Sequence, residues 1–164
     1  MLGEAALLDC PKLAFVASQG YGATDFSPRR ISLSEQGTFL SRRSRQAETE
    51  VPPPADSALI STFTSAQERA VLRRALADKR RLIHVCPQGI PAVESLSEAQ
   101  RLALAEGRLL FISPQPGGSQ LNKKVATWCN EYVLRQAGEI WVGDISPNGM
   151  LEVLIDNLQQ EARD

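Results

Sequence analysis

The sequence predicts a three-layer α/β fold, in which a doubly wound, mainly parallel five-stranded sheet of Rossmann type lies between helices. Two observations predict it. Five short runs consist almost entirely of apolar residues, which is typical of strands covered on both faces. Between most of these runs, apolar residues recur at helical spacing, and Ser residues precede two of the helices as caps. Strands therefore alternate with helices, which favours parallel pairing through right-handed crossovers.

The composition is that of a globular protein. Of the 164 residues 43% are hydrophobic and 23% are charged, and we expect one domain over residues 1–164. No apolar run is long enough to cross a bilayer, and residues 1–8 lack the basic start of a secretory signal, so we expect a cytoplasmic protein. With a net charge of -1, attraction to a polyanion requires a local patch. Three widely spaced cysteines predict reduced thiols, with neither a disulfide nor a zinc site.

Residues 13–18 form the first predicted strand, and a glycine-rich loop follows it. Gly20 and Gly22 supply a G-x-G, but Asp25 stands where the third glycine of a dinucleotide fingerprint would fall. A flexible turn and a ligand-binding loop both remain open for this stretch.

Residues 27–45 carry the densest basic cluster, with five arginines against one acid and therefore a net charge of +4. The arginines are Arg29, Arg30, Arg42, Arg43 and Arg45. A solvated surface and a set of DNA phosphate contacts both account for them. Residues 46–56 include three consecutive prolines and are predicted to be a loop, so residues 27–56 are treated as an irregular insertion.

Three further strands are predicted at residues 57–61, 82–86 and 109–113. Helices are predicted at residues 65–78, 97–107 and 121–138, the first two with the capping boxes Ser65 with Glu68 and Ser97 with Gln100. His84, the single histidine, stands inside an apolar run, where a core position is favoured over the role of a catalytic base.

The last predicted unit is a strand at residues 139–144, a turn at 145–149 and a helix with an apolar face at 151–158. Pro147, Asn148 and Gly149 favour a tight turn. The free amides and the dipole of the helix start suit an anion such as a phosphate, while an ordinary strand-to-helix connection is the alternative.

Four loops, at residues 18–22, 61–65, 113–119 and 145–149, then lie at the carboxyl ends of parallel strands. They are rich in Ser, Thr, Gly, Asn and Gln and hold almost no titratable group, so this edge is predicted to bind rather than to catalyse. We expect no catalytic residue, metal or cofactor there. The candidate phosphate- or nucleotide-binding residues are Ser18, Gln19, Gly20, Gly22, Thr62, Thr64, Ser65, Gly117, Gly118, Ser119, Ser146, Asn148, Gly149 and Met150.

Three motifs give the chain a resemblance to a known family. Ser61-Thr-Phe-Thr-Ser-Ala-Gln-Glu-Arg69 is similar to a G-G-F-H-S-P-x-E-[RK] stretch, Ala105-Glu-Gly-Arg-Leu-Leu-Phe-Ile-Ser-Pro114 to A-E-G-R-L-L-x-L-S-P, and Ser146-Pro-Asn-Gly-Met-Leu-Glu152 to A-P-G-G-K-L-E. All three belong to the Rossmann-like domain of the DNA-processing protein A (Smf) family, and the chain most resembles its short, single-domain relatives. The resemblance implies an edge that binds phosphate or nucleotide, with single-stranded DNA as a candidate partner.

Two motifs of the family are changed in this chain. The family's G-S-R after the first strand is Ala17-Ser18-Gln19, and its R-N-R on the penultimate helix is Cys129-Asn130-Glu131. Asn130 is the position that the resemblance retains as a candidate binding residue. The lost arginines would have made charge-assisted, bidentate contacts with phosphate.

The sequence leaves three functions open, and a non-enzymatic module that binds a nucleotide or phosphate ranks first. A nucleotide phosphoribohydrolase of the lysine-decarboxylase-like family ranks second, because Val153 stands at the glutamate of that family's P-G-G-x-G-T-x-x-E motif and cannot act as an acid or base. A structural or regulatory subunit without a ligand is the third. Homo-oligomerisation is compatible with each of them.

Overall fold

The computed structural model describes residues 1–31 and 57–163, in which it has seven strands and four α-helices. The strands are β1 (Leu2–Gly3), β2 (Lys12–Val16), β3 (Arg29–Ile31), β4 (Ala58–Ser61), β5 (Arg81–Val85), β6 (Leu109–Ile112) and β7 (Glu139–Val142). The helices are α1 (Ala66–Ala77), α2 (Glu98–Ala105), α3 (Lys123–Gln136) and α4 (Met150–Arg163). The predicted loop at residues 46–56 lies outside the described residues. No helix in the described ranges is long and apolar enough to span a membrane.

The sheet has the strand order β1-β6-β5-β4-β2-β7-β3. Its five inner strands are the five that the sequence predicts, and they pair in parallel with one another. The prediction of a five-stranded sheet was nevertheless wrong, because β1 pairs antiparallel with β6 and β3 pairs antiparallel with β7. The sheet is therefore seven-stranded and mixed. Strands of two and three residues carry too few side chains to show an apolar pattern, so neither edge strand could be predicted from the sequence.

Helices cover both faces of the sheet and make three layers. Along β2, Ala14 and Val16 belong to the apolar cluster that includes residues of α3 and α4. Leu13 and Phe15 belong to the second cluster, which includes residues of α1 and α2. Because successive strand residues point to opposite faces and both faces are covered, the strands need apolar residues at every position.

The starts of the helices agree with the capping signals in the sequence. Ser65 and Ser97 each cap a helix within a complete capping box, with Glu68 and Gln100 as the third helical residues. The side chain of Asn122 caps α3 by accepting a hydrogen bond from the amide of Val125 at 2.9 Å.

The three cysteines are free thiols. Burial raises the pKa of Cys86 to about 12 and that of Cys129 to about 11. Both thiols therefore stay protonated at neutral pH, whereas Cys10 is partly exposed.

His84 lies on β5, with its ring between two phenylalanines. The ring centroid is 5.1 Å from that of Phe63 and 5.3 Å from that of Phe111, and Nδ1 is buried without a hydrogen-bond partner. Burial lowers the pKa of His84 to about 4, against a smaller opposing effect of the Thr62 backbone. The ring is therefore neutral in the folded protein at physiological pH.

Acidification should destabilise the protein through His84. Unfolding returns the pKa of this side chain to 6.5. Between pH 6.5 and pH 4 the unfolded chain therefore binds a proton on His84 and the folded protein does not. The stabilising contribution is complete above pH 6.5 and is lost as the pH falls towards 4. Between pH 7.5 and pH 5 the loss should be roughly 2 kcal/mol, at about 1.4 kcal/mol for each pH unit. Urea unfolding of the wild type and of His84→Phe across this range measures it, and parallel curves for the two proteins would contradict it.

Candidate functional site

The loops that follow the five parallel strands form one side of the molecule, which we call the carboxyl edge. It comprises residues 17–26, 62–65, 86–92, 113–122 and 143–149. In open sheets of this kind ligands bind outside the carboxyl ends of the strands.

Glu68, in the first turn of α1, ties two of these loops together. Its side chain is buried, with 1% of the residue exposed. One carboxylate oxygen, Oε1, accepts hydrogen bonds from the amides of Thr64 (2.9 Å) and Ser65 (3.2 Å) and from the hydroxyl of Thr62 (3.1 Å). The other oxygen accepts a hydrogen bond from the amide of Ala17 at 3.0 Å, directly after β2. Burial raises the pKa of Glu68, and these hydrogen bonds act in the opposite direction.

The predicted binding groups at residues 62–65 are therefore engaged inside the protein. The hydroxyls of Thr62 and Thr64 both lie within hydrogen-bonding distance of the Glu68 carboxylate, and Ser65 Oγ accepts a hydrogen bond from the amide of Glu68. The start of α1 thus holds a carboxylate of its own chain where a helix N-terminus would otherwise receive an external anion.

Gln67 links the next pair of loops. It has no exposed surface, and its amide nitrogen donates hydrogen bonds to the carbonyl of Gly22 (2.9 Å) and to Asp144 Oδ2 (2.8 Å). Its side-chain oxygen accepts a hydrogen bond from the amide of Asp144 at 2.8 Å. A side chain at Gly143 would overlap this oxygen, so glycine at that position makes room for the link.

Two predicted binding residues meet beside this link. Ser18 Oγ accepts a hydrogen bond from the amide of Ser146 at 2.8 Å, and the amide of Ser18 donates to the carbonyl of Asp144 at 2.8 Å. The loops after β2 and β7 therefore form one continuous surface, which contains Ser18 and the turn at residues 146–149.

The start of α4 differs from the starts of the other three helices. In the described part of the chain the amides of Met150, Leu151 and Glu152 have no hydrogen-bond acceptor, whereas the third helical amide of each other helix is bonded to a side-chain oxygen. Asn148 has a φ of 57° and its amide donates to Glu152 Oε2 at 2.8 Å. The unpaired amides at this turn carry the positive end of the helix dipole.

Asn130 lies beside this helix start. Its side-chain nitrogen donates to the carbonyl of Ala126 at 2.8 Å and is 3.7 Å from the sulfur of Met150. The position that the family resemblance retains is therefore in contact with the first residue of α4.

Residues 117–119 lie elsewhere on the carboxyl edge. Gly117, Gly118 and Ser119 line a groove of about 650 Å³ together with residues 88–92. Their strand, β6, is four positions from β7 in the sheet, which at about 4.8 Å between strands is roughly 19 Å. The candidate binding residues therefore divide into a group around β2, β4 and β7 and a second group beside β5 and β6.

The basic cluster is described only in part. Arg29 and Arg30 lie on β3, where Arg29 pairs in register with Val142 at the carboxyl end of β7. Arg30 forms an ion pair with Glu139, with Nε 2.8 Å from Oε1. Arg42, Arg43 and Arg45 lie outside the described residues.

Sequence reasoning missed Gln67, and it assigned Glu68 only a capping role. The capping-box pattern is a local signal and does show that Glu68 turns back to the helix start. The bonds from Glu68 to Ala17 and from Gln67 to Asp144 join residues 51 and 77 positions apart. No local pattern indicates such pairs.

No protein-family model matches this chain, and no curated protein matches it significantly. A solved structure does: the chain is similar to DNA processing protein A (DprA) from Streptococcus pneumoniae, with a TM-score of 0.61 and 15% sequence identity. The likeness covers 99% of this chain and 52% of that protein, so the chain spans about half of its length. The fold is DprA-like, as the sequence motifs predicted.

Replacing Glu68 should cost far more stability than replacing its counterpart in α2. Glu68→Ala leaves three backbone amides without their acceptor, at about 1–3 kcal/mol for each buried group, so we expect a loss of at least ~3 kcal/mol. Gln100→Ala is the matched control, since Gln100 occupies the same capping-box position on an exposed helix start and should cost about 1 kcal/mol. Denaturant unfolding of both variants provides the comparison, and equal losses would show that Glu68 is only a cap.

Proposed function

We propose that this protein is a non-enzymatic module that binds a phosphate or nucleotide at its carboxyl edge, with single-stranded DNA as the polymeric ligand. The observation that carries the proposal is the start of α4, where the first three helical amides have no acceptor among the described residues. Its unpaired amides, at Met150, Leu151 and Glu152, lie next to the paired Ser18 and Ser146. Amides in this arrangement donate to phosphate oxygens, and the helix dipole adds to the attraction.

The contrast with the other helix starts supports this choice. Ser65, Ser97 and Asn122 satisfy amides at the starts of α1, α2 and α3. A helix start whose amides have no acceptor within the protein can donate hydrogen bonds to a bound anion.

Arg29 supports an extended, polymeric ligand. It is exposed and pairs in register with Val142, after which residues 143–149 lead into α4. A cation at this place can neutralise a phosphate that neighbours one bound at the helix start. The similarity in fold to DNA processing protein A also supports a nucleic-acid ligand, because the name of that protein states a role in DNA processing.

The chemistry of the turn favours binding over hydrolysis. Val153, at the position of the hydrolase family's glutamate, is half exposed and offers only hydrocarbon. The nearby carboxylates of Asp144 and Glu152 accept hydrogen bonds from Gln67 and from the amide of Asn148. A phosphoribohydrolase needs an acid or base that is free to meet the leaving group.

Gly149→Val should weaken ligand binding by at least about tenfold, the cost of losing one charge-assisted hydrogen bond. A Cβ at Gly149 would lie 3.1 Å from Ser146 Cβ and Ser146 O, so a branched side chain must push the turn apart. A thermal-shift panel of inorganic phosphate, mononucleotides and single-stranded oligonucleotides identifies the ligand, and titration of the variants gives the affinities. Gly138→Val is the control, since a Cβ there is 3.9 Å from its nearest neighbour, Lys12 O, beside the amino end of β2. The proposal fails if no ligand raises the melting temperature, or if a folded Gly149→Val protein binds like the wild type.

Glu152→Gln should have the opposite effect and tighten binding several-fold. The Glu152 carboxylate lies at the turn, 2.8 Å from the amide of Asn148, and its negative charge opposes a bound anion. Glutamine keeps an oxygen that can accept this hydrogen bond and removes the charge. Isothermal titration at low and high salt tests this, because the gain should shrink as salt screens the charge. Unchanged or weaker binding in Glu152→Gln would place the ligand away from α4.

A further inference from the structure

An aromatic pair stands on the outer surface of α3. The rings of Trp128 and Tyr132 are stacked, with centroids 5.3 Å apart and planes inclined by 13°. Tyr132 packs against the apolar core, whereas 46% of Trp128 is exposed. The tyrosine ring therefore covers one face of the indole. The indole makes no other ring contact in the described part of the chain.

This arrangement differs from the other exposed apolar residues. Val93, Leu102 and Val153 are flexible or small aliphatic side chains, and single residues of this kind are common on protein surfaces. Trp128 instead presents a broad π surface whose orientation is held by a second ring. A held aromatic plane is suited to stacking against another flat ring system.

The charges that precede Trp128 on α3 are positive. Lys124 precedes it by four residues and so lies about one helical turn away, about 6 Å along the axis, on the same side of α3. Lys123 begins the helix, at the carboxyl edge. Neither lysine forms an ion pair with the described residues.

Two acidic groups on this side of the protein share one arginine. Arg135 forms ion pairs with Glu131 (3.0 Å) and Glu161 (2.9 Å). This ion-paired guanidinium follows Tyr132 along α3. The two lysines precede Trp128 on the same helix and form no ion pair with the described residues. The surface therefore offers an aromatic plane with cations next to its open end.

We propose that Trp128 is a stacking platform for a base of a single-stranded nucleic acid, with Lys124 and Lys123 holding the adjoining phosphate. A base has a π surface on both faces, and its phosphate supplies the charge that two unpaired lysines attract. An acidic protein segment would match the charge of the lysines, and an aliphatic segment would match the apolar surface. Neither would stack on the flat indole ring. The inference rests on the proposed function, because the nucleotide at the start of α4 and the base on α3 belong to one bound strand.

The test uses ligands with and without bases. In a Trp141→Phe background the protein holds Trp128 as its single tryptophan, so fluorescence quenching reports stacking at this site. An oligo-dT strand should quench Trp128, whereas an abasic strand with the same phosphates should not. Inorganic phosphate and a mononucleotide show whether a phosphate alone, or a single base with its phosphate, is enough to quench Trp128.

Affinity measurements by fluorescence anisotropy complete the test. Trp128→Ala should lower the affinity for oligo-dT by about 5- to 150-fold, the range for losing one stacked base, and should leave the affinity for the abasic strand unchanged. Trp128→Phe, which keeps a ring, should retain most of the affinity. Val153→Ala is the matched control, as it removes a half-exposed apolar side chain from α4.

The outcomes separate this inference from the proposed function. If Gly149→Val weakens binding of oligo-dT but Trp128→Ala binds it like the wild type, the platform is overturned and the phosphate site stands. Equal losses of Trp128→Ala for the dT and abasic strands also overturn it, because a base-independent loss is not stacking. If no strand binds the wild type, the platform is overturned, and the phosphate site stands only if inorganic phosphate or a mononucleotide binds. Quenching by oligo-dT alone, with a base-dependent loss in Trp128→Ala, supports the platform.

Discussion

The buried carboxylate of Glu68 is the interaction on which the carboxyl edge depends. It accepts hydrogen bonds from the loop after β2 and from the loop after β4, up to Ser65, the residue that caps α1. A buried acceptor with several donors is strong when all its partners are present and costly when one is missing. The neighbouring Gln67 extends the same linkage to the loop after β7 through Asp144. Three strand ends are thereby held in one arrangement by two consecutive side chains.

This linkage also decides which helix start can receive a ligand. At α1 the amides of Thr64 and Ser65 donate to Glu68, and the amide of Glu68 donates to Ser65 Oγ. At α4 the Glu152 carboxylate accepts a hydrogen bond from the amide of Asn148, but the amides of Met150, Leu151 and Glu152 have no acceptor among the described residues. One carboxylate therefore both closes the first site and orders the loops around the second. In the proposed function, an anion at α4 would meet a preorganised surface and would not need to order it on binding.

The sequence predicted the local features of the fold and missed those that depend on distant pairing. The five parallel strands are long and apolar enough to show their pattern, and the capping boxes at Ser65 and Ser97 mark two helix starts. The edge strands β1 and β3 are too short for such a signal, and they made the sheet mixed where a parallel one was expected. For the site, Ser18 and Ser146 were predicted separately, and their hydrogen bond shows that the two loops meet. The hydrogen bonds from Thr62 and Thr64 to Glu68 could not be predicted from the sequence. A hydroxyl residue next to a helix start has the same sequence pattern whether it bonds to a ligand or to a buried side chain.

The residues that hold the loops and the residues that would hold a ligand follow different constraints. Glu68, which the family motif contains, is buried and bonded to the backbone, so a change there disturbs the fold itself. Of the positions of the family's arginines, Gln19 is exposed and Glu131 is partly exposed, so their charge can vary, whereas Cys129 is buried in the core. A chain at 15% identity can therefore keep the architecture of DNA processing protein A while its ligand-binding chemistry changes. In the proposed function, the groups that would meet a phosphate are chiefly backbone amides at α4 and the lysines of α3. Amides and lysines approach a phosphate singly, without the paired geometry of arginine, which favours a broader range of phosphate ligands at lower affinity.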